Sequence, residues 1–208
     1  MDPAGMKKFL RSGLVLGGIL ALCATAAAGE ALREGDIVFS SSNAGQGGAI
    51  IAATGSPYTH CGIMYRHAGK LMVLEAVQPV GVVTLEQFKS RSAPGTFMAR
   101  RLKSAVTPAN YRKALDWAAA QIGRNYDSRF LWDDSNLYCS ELVWKIYRQA
   151  GVELCPPRRF GDYRLHGPEV EKVIAERFGG IENLPRDEKV VAPSDLAASP
   201  LLVPLELS

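Results

Sequence analysis

Histidine, cysteine and excess charge are all scarce in this chain, and each shortage narrows what it can do. There are three histidines and four cysteines among 208 residues, and neither a Cys-x-x-Cys nor a His-x-x-x-His pair occurs. The usual ligand spacings of a zinc site are therefore missing, and no cofactor is expected. The net charge is only +3. Part of it lies in the amino-terminal leader and in "PPRRF", so no clustered basic face points to nucleic acid. Internal repeats and low-complexity segments are absent. The apolar run over 13–28 is short for a membrane span, which needs about 20 residues. What remains is ordinary globular composition, 47% hydrophobic and 22% charged. It suits one domain over 29–208 with a sizeable core.

The first 28 residues read as a separate element. "MKKFLRS" is basic, "GLVLGGILALCATAAA" is uncharged and apolar, and small residues close the run. That order describes a secretory signal peptide, with cleavage expected after Ala28. An uncleaved anchor is one rival. A lipoprotein at Cys23 is another, but Leu22 stands where a small residue is required. The mature protein is expected to be exported to a periplasm or cell surface, without a stable membrane span. Three cysteines then remain, and an odd number in an oxidising compartment leaves one thiol free or paired outside the chain.

Along the rest of the chain, "GDIVFSSS" reads as a first strand over 36–41 and 45–54 as a short helix. "THCGIMYR" and "KLMVLEAV" read as a hairpin turning at "HAGK". "GVVTLEQFKSR" starts as a strand and continues as a short helix, and "TFMARRL" is another strand. "TPANYRKALDWAAAQIG" is a helix with Thr107 as cap, Pro108 at its first position and Gly123 at its end. "YCSELVWKIYRQAG" is a second. Residues 160–208 read as an irregular tail with one helix near 168–177. The sum is an α+β domain, a small antiparallel sheet with helices packed on it.

Cys139 stands in the first turn of the second helix, after the plausible cap Asn136. Orphan amides and the positive end of the helix dipole favour thiolate there. Val143, Ile146, Tyr147 and Ala150 share its face, so the sulfur points at whatever the helix packs on. Free cysteine is more often a small buried hydrophobe than a nucleophile. A nucleophile needs a base, and a third group to orient that base. His67 falls in the hairpin turn and His166 in the tail, whereas His60 opens a strand. If His67 and Ala68 form the loop, position 60 faces Glu75. If Ala68 and Gly69 do, it faces 77 and Glu75 is the diagonal neighbour. Parity is the same either way, so His60 and Glu75 share a face. Cys139, His60 and Glu75 are thus a candidate thiolate, imidazolium and carboxylate set.

The blocks "GDIVF", "AIIAATGSPYTHCGI", "LEAV" and "YCSELVWKIY", in that order, resemble the YiiX/YebB-type cysteine hydrolases. These belong to the circularly permuted papain-like group, related to NlpC-type peptidoglycan peptidases and to lecithin retinol acyltransferase. In papain the cysteine precedes the histidine; in the permuted group, as here, it follows. The resemblance spans about 34–160. It implies a permuted papain-like (NlpC-type) fold with Cys139 as nucleophile, His60 as base and Glu75 as orienting residue; relatives place histidine, glutamine or asparagine in the third role. It also implies acyl transfer, with the Cys139 amide as an oxyanion donor.

The competing readings are specific. A metal site could draw on His60, Cys61, His67 and Cys139, but strand neighbours 60 and 61 face opposite ways. A disulfide could join Cys139 to Cys61 or to Cys155, the latter about four turns further on and too distant for an easy bridge. A non-catalytic binding module on the same fold is the third. Tyr58 and Tyr138 flank the reactive pair and read more naturally as core, and Gln46 is a polar group of unassigned use. The expected substrate is a peptide, foremost peptidoglycan, with an acyl-lipid as the alternative; fold does not decide between them.

Overall fold

The computed structural model describes residues 30–42 and 45–207. The expected leader over 1–28 lies outside them. Among the described residues no helix is long and apolar enough to cross a membrane.

A six-stranded antiparallel sheet organises the chain. Its strands are β1 (Ile37–Ser40), β2 (His60–His67), β3 (Lys70–Glu75), β4 (Gly81–Val83), β5 (Met98–Leu102) and, from the far end of the chain, β8 (Leu202–Pro204). They run in the order β4-β3-β2-β1-β5-β8. The hairpin takes the second of the two registers, with His67 opposite Lys70 and Ile63 opposite Leu74. Ala68 and Gly69 both have positive φ, the geometry that a two-residue turn between twisted strands requires.

One sheet face carries the main core. Helices α3 (Pro108–Gln121) and α4 (Cys139–Gln149) lie there. Leu142, Val143 and Ile146 of α4 pack against Ile37, Phe39, Cys61 and Leu74. Burying each such aliphatic side chain is worth roughly 1.5–3 kcal/mol, so α4 is fixed to the strands it covers. Thr107 caps α3 by accepting from the Asn110 amide at 3.3 Å. The opposite face packs Val38, Met64 and Val73 under Phe88 of α2 (Leu85–Ser90). Helix α1 (Gly47–Thr54) packs separately on α5 (Pro168–Phe178), around Ala49, Leu165 and Ile174.

Residues 160–207 are more ordered than the expected irregular tail. Besides α5 they supply β7 (Lys189–Val190), which pairs with β6 (Arg158–Arg159), a short helix α6 (Pro193–Ala197), and β8, which pairs with β5. The segment "PLLVPLEL" is therefore sheet packing, with Leu202 and Leu205 buried. Proline masked it, because proline fits only edge strands, and β8 is one.

Candidate active site

The start of β2, the end of β3 and the start of α4 meet at one end of the sheet. Tyr138, not Asn136, precedes the first residue of α4, so Cys139 itself opens the helix. Its amide is one of the four without an intrahelical acceptor. Only 4% of Cys139 is exposed.

His60 and Cys61 lie on opposite faces of β2, as alternation demands. Cys61 is in the core beneath α4. His60 is on the other face, stacked on Phe88 with centroids 5.6 Å apart. Because His60 is the first residue of β2, its ring reaches past the sheet end toward Cys139, whose thiol it lowers. Its Nε2 meets Glu75 Oε2 at 2.6 Å, which leaves Nδ1 for the sulfur. Glu75 has no exposed surface, and its other oxygen accepts from Arg91 at the end of α2. Gly62, opposite Glu75, makes this approach possible. A Cβ there would stand 2.6 Å from Val73 Cγ1 and 2.9 Å from the Leu74 carbonyl oxygen.

The charges reinforce one another. Burial alone would push the His60 imidazole down, but the thiolate and the carboxylate raise it to about 9. The Cys139 thiol is held well below its ordinary range by hydrogen bonds from Cys61 and by His60, against the effect of burial. Burial would raise Glu75; His60 and Arg91 overcome it, and its carboxyl is lowered. An imidazolium between a thiolate and a carboxylate is the form these partners favour.

Of the sequence candidates, Cys139, His60 and Glu75 come together. His67 ends the hairpin strand, and His166 lies exposed, 3.8 Å from Glu171. Tyr138 is core, its hydroxyl accepting from the Val191 amide at 3.1 Å. Two groups at the site, Arg91 and Tyr126, had no sequence assignment. Arg91 holds Glu75. Tyr126 faces Cys139 and is pushed up by burial and by the thiolate, so it keeps its proton. Gln46 Nε2 donates to the Tyr126 hydroxyl at 2.9 Å, which leaves the tyrosine O–H free to donate elsewhere. Cys61, next to His60 in β2, also lowers the Cys139 thiol.

Two cavities share the wall formed by Gln46, Ile50, Thr59 and Tyr126. One, about 340 Å³, is edged by His60, Gln78, Arg91 and Ser40. The other, about 120 Å³, opens on Cys139 and is lined by Ala49, Phe130, Leu165, Val173 and Ile174.

A helix that presents a thiol to a histidine borne on an antiparallel sheet is the papain-like arrangement. Here the histidine strand comes first in the chain and the cysteine helix last, which defines the permuted papain-like class. The chain belongs to the permuted papain-like amidase family YaeF/YiiX (C92), whose model matches residues 31–205. It is 34% identical over 171 residues to the uncharacterized protein YiiX of Escherichia coli strain K12, covering 82% of this chain and 84% of that one. The crystal structure of metalloprotein YiiX from Escherichia coli O157:H7 matches with a TM-score of 0.77 at 33% identity, over 85% of this chain and 97% of that one. The residues here do not fit a metal centre. Nε2 of His60 is committed to Glu75, and among the described residues no three His, Cys, Asp or Glu are arranged so that they could hold a metal ion. The family places the chain among cysteine hydrolases of the amidase kind.

Proposed function

We propose that this protein is a thiol amidase that cleaves an apolar acyl group from an amine. The observation that carries the reading is the split between the two cavities. Cys139 lines the apolar one, while His60 borders the more polar one. A substrate straddling the shared wall would place its acyl half beside the nucleophile and its amine half beside the proton donor. A cell-wall peptide, polar and rich in carboxylates, has little to bury in the apolar side. That favours the acyl-directed alternative over the peptidoglycan expectation.

In this reading the Cys139 thiolate attacks the amide carbonyl carbon. The oxyanion is met by the Cys139 amide at the helix start and by the Tyr126 hydroxyl. The His60 imidazolium passes its Nδ1 proton to the departing nitrogen, and the C–N bond breaks. Neutral His60 then takes a proton from water, whose oxygen attacks the thioester and frees the acid and the thiolate. Glu75 keeps the ring oriented throughout.

The test is to incubate the protein and Cys139→Ala with N-acyl amides of long and short chain, and separately with purified peptidoglycan, and to follow products by mass spectrometry. Release of long-chain acid by the native protein alone supports the reading. Release of wall peptides without acyl turnover overturns it. Export remains a proposal from the leader alone, and the amino-terminal sequence of protein recovered from cells tests it at Ala28.

A further inference from the structure

The site contains a second thiol that the hydrolysis described above does not use. Cys61 has no exposed surface. It points from β2 toward α4, pairs across the sheet with Phe39, and sits in the same core cluster as Cys139. Cys61 is the second residue of β2 and Cys139 the first of α4, so both thiols lie at the end of the sheet where these elements meet, and Cys61 lowers the Cys139 thiol. A packing role alone would be met by any small apolar side chain. Both cysteines are free, and the third described cysteine, Cys155, is half-buried. Cys155 lies beside the middle of α4, its carbonyl accepting from Trp144 Nε1 at 2.8 Å, and not at the helix start that Cys139 forms.

We propose that Cys61 is a resolving thiol, and that peroxide converts the pair into a reversible Cys61–Cys139 disulfide that switches the enzyme off. The proposal rests on the reading of Cys139 as a reactive thiolate. In the first step that thiolate attacks one oxygen of hydrogen peroxide. The O–O bond breaks, a sulfenic acid forms, and the departing hydroxide takes the His60 proton to become water. In the second step Cys61 sulfur attacks the Cys139 sulfur. The S–OH bond breaks, the S–S bond forms, and the Cys61 proton leaves with the hydroxide as a second water. Two thiol sulfurs together lose two electrons, and one peroxide gains them. Burial pushes the Cys61 thiol up, so it stays a thiol until a sulfenic acid stands beside it. The bond caps the nucleophile before peroxide can carry it to the irreversible sulfinic state.

The experiment treats the full chain with hydrogen peroxide, digests it without reductant and maps cross-links by mass spectrometry. Iodoacetamide labelling of Cys139 at mildly acidic pH is measured before oxidation, after it, and after dithiothreitol. The expected result is rapid labelling at the start and a 61–139 cross-link on oxidation. Labelling should then fall roughly tenfold or more and return with reductant. In Cys61→Ala, Cys139 should gain two oxygens and stay unlabelled after dithiothreitol. Wild-type mapping needs no variant, so a misfolded Cys61→Ala does not blunt the test. Rapid initial labelling with no 61–139 cross-link overturns the switch and leaves the nucleophile standing. Slow initial labelling overturns both.

Discussion

Glu75 and Glu141 are both wholly removed from solvent, yet the fold sets their charges in opposite directions. Glu75 has two cations, His60 and Arg91, on its two oxygens, and its carboxyl is lowered despite burial. Glu141, two residues past Cys139, meets the ammonium of Lys145 at 2.6 Å and accepts from the Tyr138 amide at 3.3 Å. Burial outweighs these and raises it to about 8. Lys145 keeps its own proton, because Asp134 also holds it at 2.8 Å, overcoming burial. Burial alone therefore does not decide ionisation; the number and exposure of partner charges do. The carboxylate beside the thiol is kept as an anion, and the one behind the helix is kept near neutral.

The largest way to break this comparison is Glu75→Gln. The amide keeps the shape but removes the charge that steadies the imidazolium. We expect kcat/KM to fall about a hundredfold. Working out the sign, the His60 value of about 9 should drop once the carboxylate is gone, but not all the way to its ordinary 6.5, because the Cys139 thiolate is the larger of the two charges that raise it. The alkaline limb of the pH–rate profile then moves to lower pH by the same route. A variant whose rate falls while that limb stays near 9 would show that Glu75 holds only the fold.

Glu141→Gln should do the reverse, leaving turnover nearly intact and changing stability. A carboxyl whose folded value is raised supports the fold fully below about 4.5, and that support is lost as pH rises through about 8. Glutamine cannot ionise. The variant should lose that part of the stability slope and gain on the wild type by about 1–2 kcal/mol at pH 8. Chemical denaturation at pH 5 and pH 8 measures it. Equal slopes in the two proteins would mean that Glu141 is already ionised near pH 5.

The same residues show how much of the site is legible in the sequence. Period-two parity placed His60 and Glu75 on one face without fixing the register, which positive φ at Ala68 and Gly69 decided. Helical spacing placed Cys139 on the buried side of α4, although its cap is Tyr138 rather than Asn136. Arg91 and Tyr126 could not be read. Each is a single polar residue beside an element end, where no periodicity speaks, and each gains meaning only from partners 16 and 80 positions away. Cys61 is legible as a metal ligand or as a disulfide partner of Cys139, because alternation gives its face but not which residue of α4 lies over it.

Arg91→Ala is the smallest and sharpest probe. Its side chain is 47% exposed, so water and salt screen its hold on Glu75, and a loss of only a few-fold in kcat/KM is expected. The sign on the histidine is what separates it from Glu75→Gln. Removing the carboxylate withdraws a charge that favours the imidazolium. Removing the guanidinium withdraws a positive charge and leaves the whole carboxylate to His60, so the alkaline limb near 9 should not fall. Glu75 itself, with one cation instead of two, should titrate at higher pH, and the acidic limb should move up with it. Arg91→Lys should restore most of the rate, and high salt should narrow the gap between wild type and Arg91→Ala. If the alkaline limb drops in Arg91→Ala as it does in Glu75→Gln, then Arg91 acts by placing Glu75 rather than by its charge, and the two-cation account of the buried carboxylate fails.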